Sequence, residues 1–348
     1  NTFIGAASGF STTSGSNNIG IGNCSMHGNS TTGADNIGMG QCSLRCNTEG
    51  KCNIAIGVSS LCLNTEGCIN VAIGICALQK NTTADYNVAM GYQAGCGITT
   101  GGCNIAIGCE AMVATATTAS GLNIAIGLKA GHCITTSACN VGIGTCSLYA
   151  TTTGGTNTAV GFEALKQVTS GSNNVGLGYG AGVQITTGAC NVVIGNQETG
   201  STLTTGNNNI IIGNQAQPTS NSVSNQITLG NSSISAIRAQ VQSISSLSDK
   251  RDKANIKDLK VGLDFINDLK PVTFDWAARD GTKKGRKEVG FIAQDLDEVQ
   301  QKYNIEENLQ IVLKNNPDKL EAAQGKLIPI LVQAIKDLKK EVDELKKK

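Results

Sequence analysis

A five-residue core, Asn followed by a β-branched residue, a small residue, an aliphatic residue and Gly, returns along the first 230 residues at near-constant spacing. It reads "NIGIG" at Asn18, "NIGMG" at Asn36, "NIAIG" at Asn53, "NVAIG" at Asn70, "NVAMG" at Asn87 and "NIAIG" at Asn104. Further copies begin at Asn123, Asn140, Asn157, Asn174, Asn191 and Asn209, with "NTFIG" at Asn1 before them and the variant "QITLG" at Gln226 after. From closing glycine to closing glycine most steps are 17 residues and the others 18 or 19. A fixed period of this kind means that each unit buries its apolar face only against its neighbours. A 17-residue unit is too short for two helices and a turn, and it lacks helical periodicity. Strands of about five residues, bounded by glycine and by turns such as "TTGADN" and "TTGGCN", fit instead.

The units are therefore expected to be fourteen coils of a β-solenoid. With coils about 4.8 Å apart they make a rod of roughly 65 Å. Each repeat position becomes a column along it. Ile54 and Ile56 share one face and Ala55 takes the other, while stacked asparagines bond from coil to coil through their amides. Because "NTFIG" already belongs to the repeat, further residues are expected upstream of Asn1.

Charge divides the chain. Residues 1–247 hold only 13 of its 53 Asp, Glu, Lys and Arg residues, and the remaining 101 hold 40. All 14 cysteines lie between Cys24 and Cys190, and all four prolines lie at or beyond Pro218. The formal net charge of +1 provides no field to draw in nucleic acid. No apolar run approaches the roughly 20 residues that span a bilayer, so no membrane insertion is expected. The cysteines follow repeat positions and form no CxxC pair, which favours stacked reduced thiols over a disulfide framework and argues for a reducing compartment. Neither His27 nor His132 has the cysteine spacing of a metal site, and no metal or cofactor is expected.

Recurrent Thr-Thr pairs, at Thr31, Thr82, Thr99, Thr135, Thr186 and Thr204, raise the possibility of an ice-binding array, but they sit in the turn before the core and read as turn chemistry. Glycan cleavage needs two carboxylates at a fixed separation, whereas the acidic residues of the shaft are scattered at most one per coil. The cores resemble the head repeats of trimeric autotransporter adhesins and the shaft repeats of phage and large-virus fibres, although the adhesin unit is shorter. That resemblance implies a left-handed parallel β-roll, or an intertwined equivalent, assembled as a homotrimer.

After Gly230 a polar alternating run, "NSSISAIRAQVQSISSL", suits a neck strand, and charge then begins abruptly with "SDKRDKANIKDLK". The blocks "SDKRDKANIKDLKVGLDFINDLKPVTFDWAARDG", "EVGFIAQDLDEV" and "KLIPILVQAIKDLKKEVDELKKK" follow in order. Together they resemble the C-terminal intramolecular chaperone domain of phage tail spikes, endosialidases and neck appendages, a self-cleaving Ser/Lys peptidase class. The expected division is a shaft over 1–231, a neck over 232–247, a small α/β chaperone domain over 248–326 and a coiled-coil helix over 327–348. Trp276 and Phe291 are read as core residues.

The resemblance places the family signature on Ser248, Asp249, Arg251 and Lys253 and implies scission between Leu247 and Ser248. Ser248 Oγ lies beside the Leu247 carbonyl, and a hydroxyl needs a base to become a nucleophile. Lys253 is the expected base. An exposed lysine, with a reference pKa of about 10.4, is protonated at neutral pH, so burial on assembly has to favour its neutral form. Asp249 and Arg251 are expected to position the site or support the oxyanion. Ile328, Leu331, Ile335, Leu338, Val342 and Leu345 step by three and four, an a/d seam. Its β-branched a and Leu d positions by themselves favour two strands, whereas the family implies three.

What these features imply is a homotrimeric viral fibre or tail spike, assembled in the host cytoplasm and carried on the virion. Its expected partners are its own copies, other virion tail or capsid proteins and, as a candidate, a host-surface glycan or protein. The alternatives are a microbial surface adhesin with a trimeric β-roll head, and an ice-binding or glycan-active solenoid.

Overall fold

The computed structural model describes residues 1–28, 31–114, 121–234, 236–238, 248–277, 284–314 and 320–347. The chain divides into two compact units, Asn1–Asn231 and Ser232–Lys348.

The first unit is a parallel β-solenoid. Fourteen strands, from β1 (Thr2–Ile4) to β14 (Ile227–Leu229), form one sheet in sequence order. Pairing is strictly in register: Ile54, Ala55 and Ile56 of β4 (Ile54–Ile56) face Val71, Ala72 and Ile73 of β5 (Val71–Ile73). The register survives the longest step, where Ile105 still pairs with Ile124. The columns therefore remain aligned across that step.

Each strand has three residues rather than the five expected, and hydrogen bonding explains the shortening. The Asn53 backbone N–H does not donate to a backbone carbonyl; it donates to Asn36 Oδ1 at 3.0 Å. The side-chain amide of Asn53 donates to Asn36 Oδ1 at 3.1 Å and to Gly67 O at 2.8 Å. One asparagine thus replaces a rung of the ladder and ties its coil to both neighbours. The same geometry recurs at Asn70, Asn140, Asn157, Asn174 and Asn191. At the other end Gly57 adopts φ +130, and a Cβ there would meet the Gly74 carbonyl oxygen at 2.5 Å, so the strand stops where only glycine fits.

The strand's middle residue is the one that faces inward. Ala55, Ala72, Ala89, Ala106 and Ala125 are fully buried, while the larger aliphatics on either side stay partly open to solvent. The interior volume is filled from across the coil by Leu44, Leu61, Leu78, Leu148 and Leu165, each completely buried. Those leucines are four places beyond the glycine and adopt positive φ, 50° at Leu44 and 48° at Leu78. Burying a leucine is worth about 1.5–3 kcal/mol, which exceeds the roughly 1–2 kcal/mol that a left-handed residue costs.

Threonine hydroxyls are used within the stack. Thr48, Thr65 and Thr82 Oγ1 each donate to the carbonyl of the equivalent threonine one coil on, at 3.0, 3.1 and 3.2 Å. They contribute to coil pairing, while the second threonine of a pair, as at Thr83, Thr136 and Thr187, is exposed. All 14 cysteines are free, with Cys62 and Cys96 buried and Cys52, Cys103, Cys109, Cys139 and Cys190 exposed. Burial pushes the Cys62 and Cys96 thiols up.

The second unit is small and α/β. Helix α1 (Leu263–Asp268) precedes an antiparallel hairpin of β15 (Val272–Asp275) and β16 (Lys287–Gly290). Then come α2 (Ala293–Lys302), α3 (Glu306–Leu309), the two-residue strands β17 (Val312–Leu313) and β18 (Glu321–Ala322), and α4 (Ile328–Leu345). Phe265, Leu296, Ile311, Val312, Leu327 and Ile330 form its core, and Phe291 packs on the core's edge. Trp276 departs from the core role expected of it. It is half-buried on the hairpin, edge-on to Phe274 at 5.4 Å, with its indole N–H donating to Glu288 at 2.7 Å. Of residues 232–247, those described form no strand, and Leu247 lies outside the described residues.

Candidate functional site

The segment that opens the charged region folds back on itself. Residues Lys250–Asp252 form a single 3₁₀ turn, and Asp249 caps it by accepting from the Arg251 backbone N–H at 2.8 Å. Short polar side chains favour this capping role. The same carboxylate takes a forked bond from the Arg251 guanidinium, with Nη2 to Oδ2 at 2.6 Å and Nε to Oδ1 at 3.1 Å. The guanidinium beside it holds the Asp249 carboxyl below its ordinary value. The turn closes with Lys253 N–H donating to the Lys250 carbonyl at 3.2 Å, and Lys253 then leaves in extended conformation.

This reversal brings the outer residues of the motif together. Lys253 Nζ donates to Ser248 Oγ at 2.6 Å. Spacing alone does not dictate that contact, because five residues of extended chain would separate the two groups by well over 10 Å. Asp249 and Arg251 satisfy each other and brace the turn, with no hydrogen bond of theirs to Ser248 or Lys253 among the described residues. The Leu247 carbonyl, where an oxyanion would form, lies outside the described residues.

A hydroxyl within hydrogen-bonding distance of an amine is the arrangement a nucleophile and its base require. Both Ser248 and Lys253 are exposed in a single chain. A groove of about 880 Å³ in this unit, lined in part by Lys257, Lys260, Tyr303, Leu309, Lys326 and Ile330, does not include them. Among the described residues of one chain, nothing supplies the dry surroundings that burial of Lys253 would need.

The seam residues of α4 are also open. Ile330 and Ala334 face the unit's core, whereas Ile328, Leu331, Ile335, Leu338, Val342 and Leu345 all stay exposed, Ile335 at 67% and Leu345 at 68%. Two features had no sequence signal at the level of single residues. Asp337, in mid-helix, accepts from the Leu263 N–H at 3.2 Å and so caps α1 from a distance. Asp268 accepts from Tyr303 at 2.7 Å and from Lys302 at 2.6 Å, which pushes the Tyr303 hydroxyl up to about 12 and holds the carboxyl below its usual range.

Among the described residues no group of His, Cys, Asp and Glu is placed to hold a metal ion, and no helix is long and apolar enough to cross a membrane. No curated protein and no solved structure matches the chain. Residues 248–307 match the family described as chaperone of endosialidase (Peptidase_S74), a self-cleaving chaperone family, and the segment begins at Ser248 itself. A region of that kind behind a parallel β-solenoid shaft fits a tail-spike-like protein.

Proposed function

We propose that the chain is the subunit of a homotrimeric fibre or tail spike of a virion, whose C-terminal unit trimerises first, sets the register of the shaft and is then released by self-cleavage between Leu247 and Ser248. The observation that carries this reading is the 2.6 Å contact of Lys253 Nζ with Ser248 Oγ, at the start of the segment that matches the chaperone family. The exposed seam of α4 supports assembly, since apolar a/d residues without a partner in their own chain fit a bundle of identical helices.

In the proposed reaction Ser248 Oγ bonds to the Leu247 carbonyl carbon and its proton passes to Lys253 Nζ. The Leu247–Ser248 C–N bond then breaks, and the proton is returned to the departing Ser248 nitrogen. Water hydrolyses the resulting Leu247–Oγ ester, which frees the Leu247 carboxylate and restores the hydroxyl. The amine must be neutral to act, and desolvation favours that form. Since a single chain leaves Lys253 exposed, the desolvation comes from neighbouring subunits, and scission waits for assembly.

A shaft of fourteen in-register parallel strands gives a reason for such a device. Long-range parallel pairing is slow and open to misalignment, and a domain that associates first holds the three shafts side by side while their coils form. Its loss afterwards leaves a rod protected by a high unfolding barrier. Attachment to other virion proteins, and host-surface recognition by the shaft, belong to the same proposal.

The test is intact mass of the purified wild type beside Ser248→Ala and Lys253→Ala. The wild type is expected to give a fragment of 101 residues, Ser248–Lys348, and the variants none. A wild-type trimer that stays whole would refute the dyad, and a fragment from either variant would refute the assigned roles.

A further inference from the structure

The strands of the shaft turn their bulk outward. With alanine or glycine filling the inner position in most coils, the first and third strand residues form two columns along the outer face: Ile54, Val71 and Val88 in one, Ile56, Ile73 and Met90 in the other. None of the fourteen strands places a charged residue in either column. In the middle coils a third column, apolar except at Thr145, joins them just beyond the glycine, with Val58, Ile75, Tyr92, Leu128, Phe162 and Tyr179 each between 42% and 51% exposed. At both ends of the rod that third column turns polar, at Asn23 and Gln41 and again at Asn196 and Asn214.

A band about 10 Å wide along a rod of roughly 65 Å covers on the order of 650 Å². Soluble monomers seldom leave a continuous apolar patch beyond roughly 300–600 Å², and a stable interface takes about 800 Å² from each partner. The band is therefore close to the size of a whole interface. Its period narrows the choice of partner. Whatever covers it must present apolar groups at the coil spacing, about 4.8 Å, over fourteen repeats, without charge. A glycan or a polar protein surface does not meet that demand, whereas a second copy of this shaft laid parallel and in register does.

We infer that this outer strand face is the surface by which the shafts of identical chains pack on one another, with the strand columns turned toward the shared axis and the turn before each asparagine turned toward solvent. The inference rests on the assembly proposed above and adds the face through which it occurs.

Two cysteines of one coil test it without substitution. Cys103 precedes Asn104 on the turn side, Cys109 follows Gly108 in the third column, and both are exposed in a single chain. The full-length protein is pulsed with N-ethylmaleimide and the modification of each residue is read by peptide mass spectrometry, normalised to the unfolded chain, while sedimentation reports its assembly state. Cys109 is expected to react at least tenfold more slowly than Cys103 in a protein that sediments as an oligomer. Equal rates in such an oligomer, both fast or both slow, would overturn the choice of face and leave the assembly standing. A monomer in sedimentation would overturn the assembly itself.

Discussion

Replacing Asn70 by alanine tests whether the buried asparagine column binds the coils together. Asn70 makes three side-chain bonds: its Nδ2 donates to Asn53 Oδ1 at 3.1 Å and to the Ala84 carbonyl at 2.8 Å, and its Oδ1 accepts from the Asn87 backbone N–H at 2.9 Å. Alanine removes all three at a site with no exposure. Each lost bond is worth about 1 kcal/mol, and the Asn87 N–H left buried without an acceptor adds about 1–3 kcal/mol. The expected loss is therefore about 4–6 kcal/mol. With a urea slope of about 2–3 kcal/mol/M, the unfolding midpoint followed by far-UV circular dichroism should fall by about 1.3–3 M. Because a solenoid is stabilised through its nearest neighbours, the transition should also broaden or split at that coil. A midpoint within about 0.3 M of the parent would refute the idea that this column supplies the coil-to-coil satisfaction.

Gly57→Ala should destabilise the shaft by about 3 kcal/mol or more, because it combines a backbone at φ +130 with a Cβ 2.5 Å from the Gly74 oxygen. Gly285→Ala, at φ +80 with open space around it, should cost only about 1 kcal/mol; equal losses in urea titrations would show that strain alone decides. In the C-terminal unit, the Tyr303 hydroxyl is raised to about 12 by its bond to Asp268. A raised folded-state value means that this stabilisation is whole below the ordinary tyrosine value of about 10 and disappears as pH climbs from there to about 12. Tyr303→Phe should remove that alkaline loss of stability in melts across the range, and an unchanged profile would separate the bond from the stability of the unit.

The architecture of the shaft was legible because one pattern repeated fourteen times leaves little choice of fold. Alternation announced that Ile54 and Ile56 oppose Ala55, but alternation is symmetrical and does not say which side is inside. That is decided by the leucines of the second element, such as Leu61 and Leu78, which enter from across the coil and leave room only for a small residue opposite. Strand length was misjudged because Asn53 and its equivalents look like strand residues while their side chains replace the ladder bond. Positive φ at Leu44, Leu61 and Leu78 was hidden for a related reason: propensity disfavours it, and only the burial of those side chains outweighs that preference. At the candidate site, the residues Ser248 and Lys253 could be named from the chain, but the 3₁₀ turn and the Asp249–Arg251 fork that bring them into contact could not. Trp276 was assigned to the core on the strength of its residue type, and its polar edge, bonded to Glu288, holds it at the surface instead.

The in-register ladder also sets how such a rod can change length over evolutionary time. Every coil meets its neighbours through the same asparagine, alanine, leucine and glycine positions, so excising or duplicating one complete unit rejoins surfaces that already match. A deletion of any other size would shear those columns unless the strand register is kept, as it is across the longer step from Ile105 to Ile124. Reach is thus a quantity that this lineage can adjust in whole steps of about 4.8 Å, with no new packing to invent.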